Sequence, residues 1–275
     1  MFNNLKLIFK RIIAYFIDIL IVFSFYSLIT LIPFFNVYDE KYDSLMSDYN
    51  DVVKEYTNVS KSFDKAYQDK IISSDEYNEL VSFEVYKDYF KNITIDEEVS
   101  DEIYTDTVNS LYKYALDTTK KYSYYMAKES FISPIIMMVI MILYFGVFQY
   151  FFNGQTVGKK IIGLQVISNS DKKINLISFI IRAIILENII FNVADIVSLL
   201  VLDYEKYFTI SDMLSTAISL VQLSIICMIT YRKDTRGLHD IIANTKVILL
   251  ERKKKSRKKK LNDKVIDAEY NEKAS

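Results

Sequence analysis

Residues 131–152 read FISPIIMMVIMILYFGVFQYFF, 22 positions without one charged side chain. About 20 apolar residues in a helix, rising ~1.5 Å each, span the hydrocarbon core of a bilayer. This run is long enough to cross a membrane once, and it decides the fold class. Three more runs, 12–35, 176–202 and 213–231, have the same character, and only 12–35 and 176–202 contain charges. The average composition conceals them: 51% hydrophobic and 25% charged residues over 275 positions would suit a water-soluble protein. The clustering excludes that class. A disulfide-built secreted domain is excluded too, since Cys227 is the single cysteine and lies in the fourth run. One cysteine and one histidine (His239) supply no ligand set for zinc, haem or an iron–sulfur cluster, and no cofactor is expected.

Lys and Arg in the connections orient the spans. Lys6, Lys10 and Arg11 precede the first run, which lacks a cleavage site and reads as an uncleaved helix. The 153–175 connection carries Lys159, Lys160, Lys172 and Lys173, and residues 232–275 carry 14 basic residues, against Lys206 alone in 203–211. Both termini and the 153–175 connection are therefore expected in the cytoplasm of a plasma-membrane protein, with 36–130 outside. The expected organisation is 1–35 (N-terminus and first helix), 36–130 (an outer helical domain), 131–250 (helices 131–152, 176–202 and 213–231) and a polar tail, 251–275.

Within 36–130, apolar positions alternate in steps of three and four: Tyr42, Leu45, Tyr49, Val52, Tyr56, Val59, Phe63, Ala66. That is a narrow, coiled-coil-like seam. Ser73 with Glu76, and Thr94 with Glu97, have capping-box spacing. Helices are expected near 38–71, 74–91 and 95–130, the last running on into the second span. The segment either buries its own seam or offers it to a partner that the sequence does not name.

Charge and glycine mark the rest. Asp18 lies two turns beyond Arg11 with Ala14 between, a spacing that shares a face without direct contact. A charge inside a membrane helix is costly, so Asp18 should face protein or water, with Arg11 through water, Lys159, Arg182 or Arg236 as partners. Two readings stay open for it: a structural clamp between helices, or a carboxylate on a transport path. The stretch 153–164 holds Gly154, Gly158 and Gly163, three of only five glycines. It falls short of a nucleotide-binding phosphate loop, because its spacer is one residue short and Lys160 stands where Ser or Thr is required. A glycine-hinged amphipathic segment on the inner surface, with Lys159 and Lys160 towards anionic headgroups, is the expectation. His239 beside Asp240 has the look of a base with its orienting acid, but adjacent helical residues diverge by about 100°. Capping or interhelical bonding is the expectation, and with no nucleophile–base pair an enzyme is not expected.

Arg11…Ala14…Asp18, then Gly154-Gln155-Thr156-x-Gly158-Lys159 with Gly163-Leu164, then Arg236-Gly-Leu-His239-Asp240 and Thr245-x-Val247, together resemble the RDD family of small membrane proteins. The arginine and two aspartates of that name would be Arg11, Asp18 and Asp240. The resemblance covers 5–35 and 131–250 and implies a membrane module for which transport, including cation/proton exchange, has been suggested. The chain departs from the pattern in its large first outer loop and in the acidic residues of its third span. A two-stranded sheet on the inner face, pairing Leu164–Ser168 with Thr245–Leu249, fits the resemblance and the local alternation.

In the third run Glu187, Asn188, Asn192, Asp195 and Ser198 fall within an arc of about 140° on a straight helix, with Arg182 opposite and free to snorkel. With Gln222 this stripe could line a cation or proton route, or serve as packing glue or a contact between copies of the chain. The tail has eight basic residues in the nine from Arg252 to Lys260, and Lys253–Lys260 is expected to attract anionic lipid. No folded basic surface with aromatic spacing accompanies it, so nucleic acid is not an expected partner. The sequence thus describes an all-α, four-span membrane protein. It is read as a small-ion or small-solute transport module, with a non-transporting anchor that displays 36–130 as the alternative.

Overall fold

The first apolar run belongs to α1 (Phe2–Thr30), which begins before the charges at Lys6, Lys10 and Arg11. The computed structural model describes residues 2–32, 35, 40–70, 72–83, 86–90, 98–170 and 173–250. The Thr94–Glu97 pair and the basic tail lie outside these residues. Ala14, Asp18 and Val22, spaced by four, form one fully buried face of α1. Phe9, Phe16 and Leu20 remain more than half exposed on the other side, as lipid-facing positions would be.

The segment between the first two spans is helical. α2 (Glu40–Asp69) pairs with α5 (Asp101–Glu129), bridged by α3 (Ser74–Ser82) and α4 (Lys87–Phe90). Ion pairing of Lys41 with Glu129 and bonding of Tyr67 to Asp101 at the other end make α2 and α5 antiparallel. Val59, Phe63 and Ala66 of the seam are buried, together with Leu80, Tyr86, Phe90 and Leu111. Tyr42, Leu45, Tyr49 and Tyr56 are only half-buried. The capping box at Ser73 and Glu76 starts α3. The helix expected over 74–91 is broken, because Phe83 is extended. α5 starts later than expected, capped by Ser100 with Asp101 and Glu102 in its first turn. It does not run on into the second span: α6 (Ile132–Ile142) begins after a turn. Pro134 accounts for this, since in a continuous helix its ring would meet the carbonyl of Ser130.

Beyond α6 the second span continues as a π-helical turn (Leu143–Phe148) and α7 (Gln149–Phe151). α8 (Val157–Ile162) and β1 (Leu164–Ser168) follow. The third run is α9 (Leu176–Leu186) and α10 (Ile189–Val201), bent by 59°. α11 (Tyr204–Tyr231) starts nine residues before the apolar run, because Asp203 caps it by accepting from Lys206 N. α12 (Leu238–Ile242) and β2 (Thr245–Leu249) complete the described chain. Leu5–Thr30, Ile132–Phe151 and Tyr204–Tyr231 are long and apolar enough to cross a membrane, and the bent pair makes a fourth span if counted as one. β1 and β2 are antiparallel with Val166 opposite Val247. Their inner face packs with Ala14 and Phe179, fixing the sheet to α1 and α9. At the opposite end, Tyr124 of α5 packs on Leu199 and Tyr207 and donates to the Leu202 carbonyl at 2.7 Å.

Candidate functional site

Asp18 is fully buried, and both its oxygens are occupied. Oδ1 accepts from the Tyr144 hydroxyl and from Gly158 N, each at 2.7 Å, and Oδ2 from the Thr156 hydroxyl at 2.5 Å. Lys159 Nζ lies 3.7 Å from Oδ2. The π-helical turn contributes Tyr144; such turns insert a residue and re-aim side chains. Thr156 also caps α8, so one hydroxyl starts the helix and binds it to α1. Gly158 is required by proximity: a Cβ there would stand 2.2 Å from the Ala14 carbonyl oxygen and 2.9 Å from Asp18 Oδ1. Gly154 combines φ +80° with a Cβ position 2.1 Å from the Val166 carbonyl oxygen, so it turns the chain where it meets β1. Gln155 donates to the Leu164 carbonyl at 2.7 Å, and Gly163 ends α8.

α8 is therefore docked on the bundle, and only one of its two lysines is free to reach headgroups as expected. Asp18 holds it against α1, and Lys159 is buried, while Lys160 and Ile161 are exposed. Burial, and next the Arg182 charge, push the Lys159 ammonium down to about 8, against the pull of Asp18. Its Nζ also sits 5.4 Å from the Phe145 ring centre.

Asp240 gathers a second cluster. Its Oδ1 accepts from Arg182 Nε at 2.9 Å and the Thr245 hydroxyl at 3.2 Å, while Arg11 Nη1 and His239 Nε2 stand 3.6 and 3.4 Å from Oδ2. Burial alone would raise this carboxyl, but Arg182, then His239 and Arg11, hold it far below the ordinary range. Burial likewise keeps the His239 imidazole below its usual value, against Asp240. Arg11 Nη1 also donates to the Thr235 carbonyl at 2.7 Å. Arg182, expected to snorkel, is instead buried at 4% exposure, because Asp240 meets it from α12. Arg236 is apart from both clusters, with Nε 2.7 Å from the exposed Asp234. Arg11 and Asp18 share a helix but serve different clusters.

The third group is at the bend. Glu187 ends α9, and Asn188, with left-handed backbone (φ 53°), starts α10. The stripe expected on a straight helix is thereby divided. Tyr15 donates to Glu187 Oε2 at 3.0 Å, and Asn192 Nδ2 donates to the Glu187 carbonyl at 3.2 Å. Glu187 Oε1, Asn188 Oδ1 and Asp195 Oδ1 are buried atoms without a hydrogen-bond partner among the described residues. Glu187, Asn192 and Asp195 line a cavity of about 310 Å³ bounded by Met138, Met141 and Tyr207. Ser198 turns back to the Asp195 carbonyl, and Gln222 is exposed and does not line this cavity. On the other side of the bend, Tyr15, Lys159 and Arg182 line a second cavity of about 200 Å³. The Tyr15–Glu187 bond thus joins the linings of the two.

Sequence reasoning missed Tyr15, Tyr144 and Thr235, and it named Thr245 without the bond to Asp240. Tyr144 had a readable signal, as one of few side chains with a hydrogen-bonding group in the charge-free second run. Thr235 had none, since it serves through its backbone carbonyl.

The RDD family profile matches residues 103–244, just over half of the chain. No curated protein and no solved structure matches it. The match takes in Lys159, Arg182, Glu187 and Asp240; Arg11 and Asp18 precede it and join those residues through the contacts described above. The chain belongs to the RDD family.

Proposed function

We propose that this RDD-family membrane protein is a small-ion or small-solute transport module, of the cation/proton exchange type, working through carboxylates at membrane depth. One observation carries the reading: Glu187 stands at a 59° break in the third span, with one carboxylate oxygen unpartnered, between two cavities. Irregular backbone at membrane depth is tolerated where it is buried in protein or lines a water-filled cavity, and ionisable groups there mark pathways. Asp195 supplies a second carboxylate in the cavity of Glu187. Asp18, whose oxygens are engaged by two hydroxyls and an amide, and Asp240, which is ion-paired with Arg11 and Arg182, serve in this reading as clamps that hold α8, α12 and the sheet to α1 and α9.

In this reading, which the excess of Lys and Arg in the connections supports, both termini and the sheet lie in the cytoplasm and 36–130 lies outside as a coiled-coil-like insertion. Single cysteines at Ser60 and Ser256, with Cys227 replaced, test this with a membrane-impermeant thiol reagent on intact cells. Position 60 should label and position 256 should not; the reverse inverts the topology.

A second reading, a membrane anchor displaying 36–130 to a partner, is favoured by the separate buried core of that segment around Phe63, Leu80 and Tyr86. Proteoliposomes of the intact protein separate the two. Under opposed proton and alkali-cation gradients the transport reading expects a change of internal pH absent from protein-free vesicles. No flux in any gradient leaves the anchor.

A further inference from the structure

We infer that the cavity between α1 and α11, at the end of the bundle that carries the sheet, is a site for the phosphate headgroup of an anionic membrane lipid. The inference goes beyond transport and needs only the membrane setting. Arg11, Lys159 and Arg182 are among the residues that line this 200 Å³ cavity, whose surface is mostly apolar. Two carboxylates, Asp18 and Asp240, are ion-paired with these three cations. A third carboxylate, Glu187, is bonded to Tyr15 and among the described residues forms no ion pair with them.

Two donors are left over. Arg182 Nη1 and Arg11 Nε are buried without a hydrogen-bond partner among the described residues, and Arg182 is itself 96% removed from solvent, at 4% exposure. A guanidinium donor left unpaired in low dielectric is costly, and the planar fork of arginine matches the oxygens of a phosphate. An anionic group seated between the two arginines would supply the missing acceptors.

The rest of the lining says what that anion is attached to. Ile12 of α1 and Ile225 and Ile229 of α11 form the apolar wall. Beyond them, Phe16 and Leu20 on α1 and Leu223 and Ile226 on α11 are more than half exposed. A hydrated free phosphate would gain nothing from such a wall. An acyl chain would continue along it, with its headgroup on the arginines.

The test uses the full-length protein in nanodiscs of phosphatidylglycerol mixed with phosphatidylcholine, and in lipid-free detergent with inorganic phosphate as a control. Lipid retained after delipidation is counted in about 0.5 M salt, which screens exposed charges such as those of the basic tail. The parent should retain phosphatidylglycerol about fivefold over phosphatidylcholine, the preference that one basic group near an anionic headgroup confers. Ile229→Trp, which fills the cavity and leaves every charge in place, should lose that preference while keeping its thermal midpoint in lipid-free detergent. Arg182→Gln should lose it too. Equal retention of the two lipids by the parent overturns the proposal. So does a preference that survives in Ile229→Trp, which would assign it to the tail. Thermal protection by inorganic phosphate equal to that by phosphatidylglycerol would make the site one for a free anion, and the lipid assignment would fall.

Discussion

At the scale of single residues, the buried carboxylates differ in how completely they are met. Asp18 accepts three hydrogen bonds within 2.7 Å, whereas Asp240, Glu187 and Asp195 each keep a buried oxygen without a hydrogen bond, that of Asp240 facing Arg11 and His239 at 3.6 and 3.4 Å. The importance of Asp18 was legible from its type and depth, and Lys159 was among its expected partners. The exchange of partners was not legible: Arg11 and Arg182 both go to Asp240, because α12 folds back on α9 and no local spacing encodes that return. The Asp18 site leaves no room for a methyl group at position 158. Gly158→Ala should therefore lower stability by about 3 kcal/mol, the upper range for overpacking, read as a drop in the thermal midpoint in detergent. An unchanged midpoint would mean that α8 does not rest on α1. Lys159 gives a pH signature. Its folded value of about 8 is below the ordinary 10.5, so between those values the folded protein has released a proton that the unfolded chain still holds. Stability must then rise with pH across that window. The midpoint difference between parent and Lys159→Met should grow in favour of the parent from pH 8 to 10, and a flat difference would contradict the burial of a charged Lys159.

At the scale of elements, periodicity and hydropathy located the spans but could not give their interruptions. The second span contains a π-helical turn, though it reads as a charge-free apolar run, and the third breaks after Glu187, though its polar residues read as a stripe on a straight helix. The break depends on Asn188, which adopts the left-handed conformation that asparagine tolerates better than most residues. Glycine should serve equally well there and a β-branched residue should not. Asn188→Val should cost roughly 1–2 kcal/mol more than Asn188→Gly. Thermal unfolding of the two variants decides it, and equal stability would show that the bend does not need that backbone state. In the sheet, by contrast, alternation and the family resemblance agreed, and the strands pair over the expected residues. The helical segment lies between these cases. Its seam and its first capping box were readable, while the interruption at Phe83 follows from burying Tyr86 and Phe90 against α2, a tertiary demand with no local signal.

At the scale of the whole molecule, the protein is a membrane bundle with a polar centre, closed at one end by a two-stranded sheet and met at the other by a helical hairpin. The two aspartate clusters tie the sheet end together, and the bend in the third span lies between them and the hairpin. The central claim is that Glu187 at this bend controls coupled flux. Its most direct test is gradient-driven pH change in proteoliposomes containing equal amounts of folded parent or Glu187→Gln protein. The account predicts flux from the parent, loss of coupled flux in the variant, and thermal midpoints that differ little, because an amide keeps the hydrogen bond to Tyr15. Equal flux from the two proteins, at equal folded amounts, would contradict it.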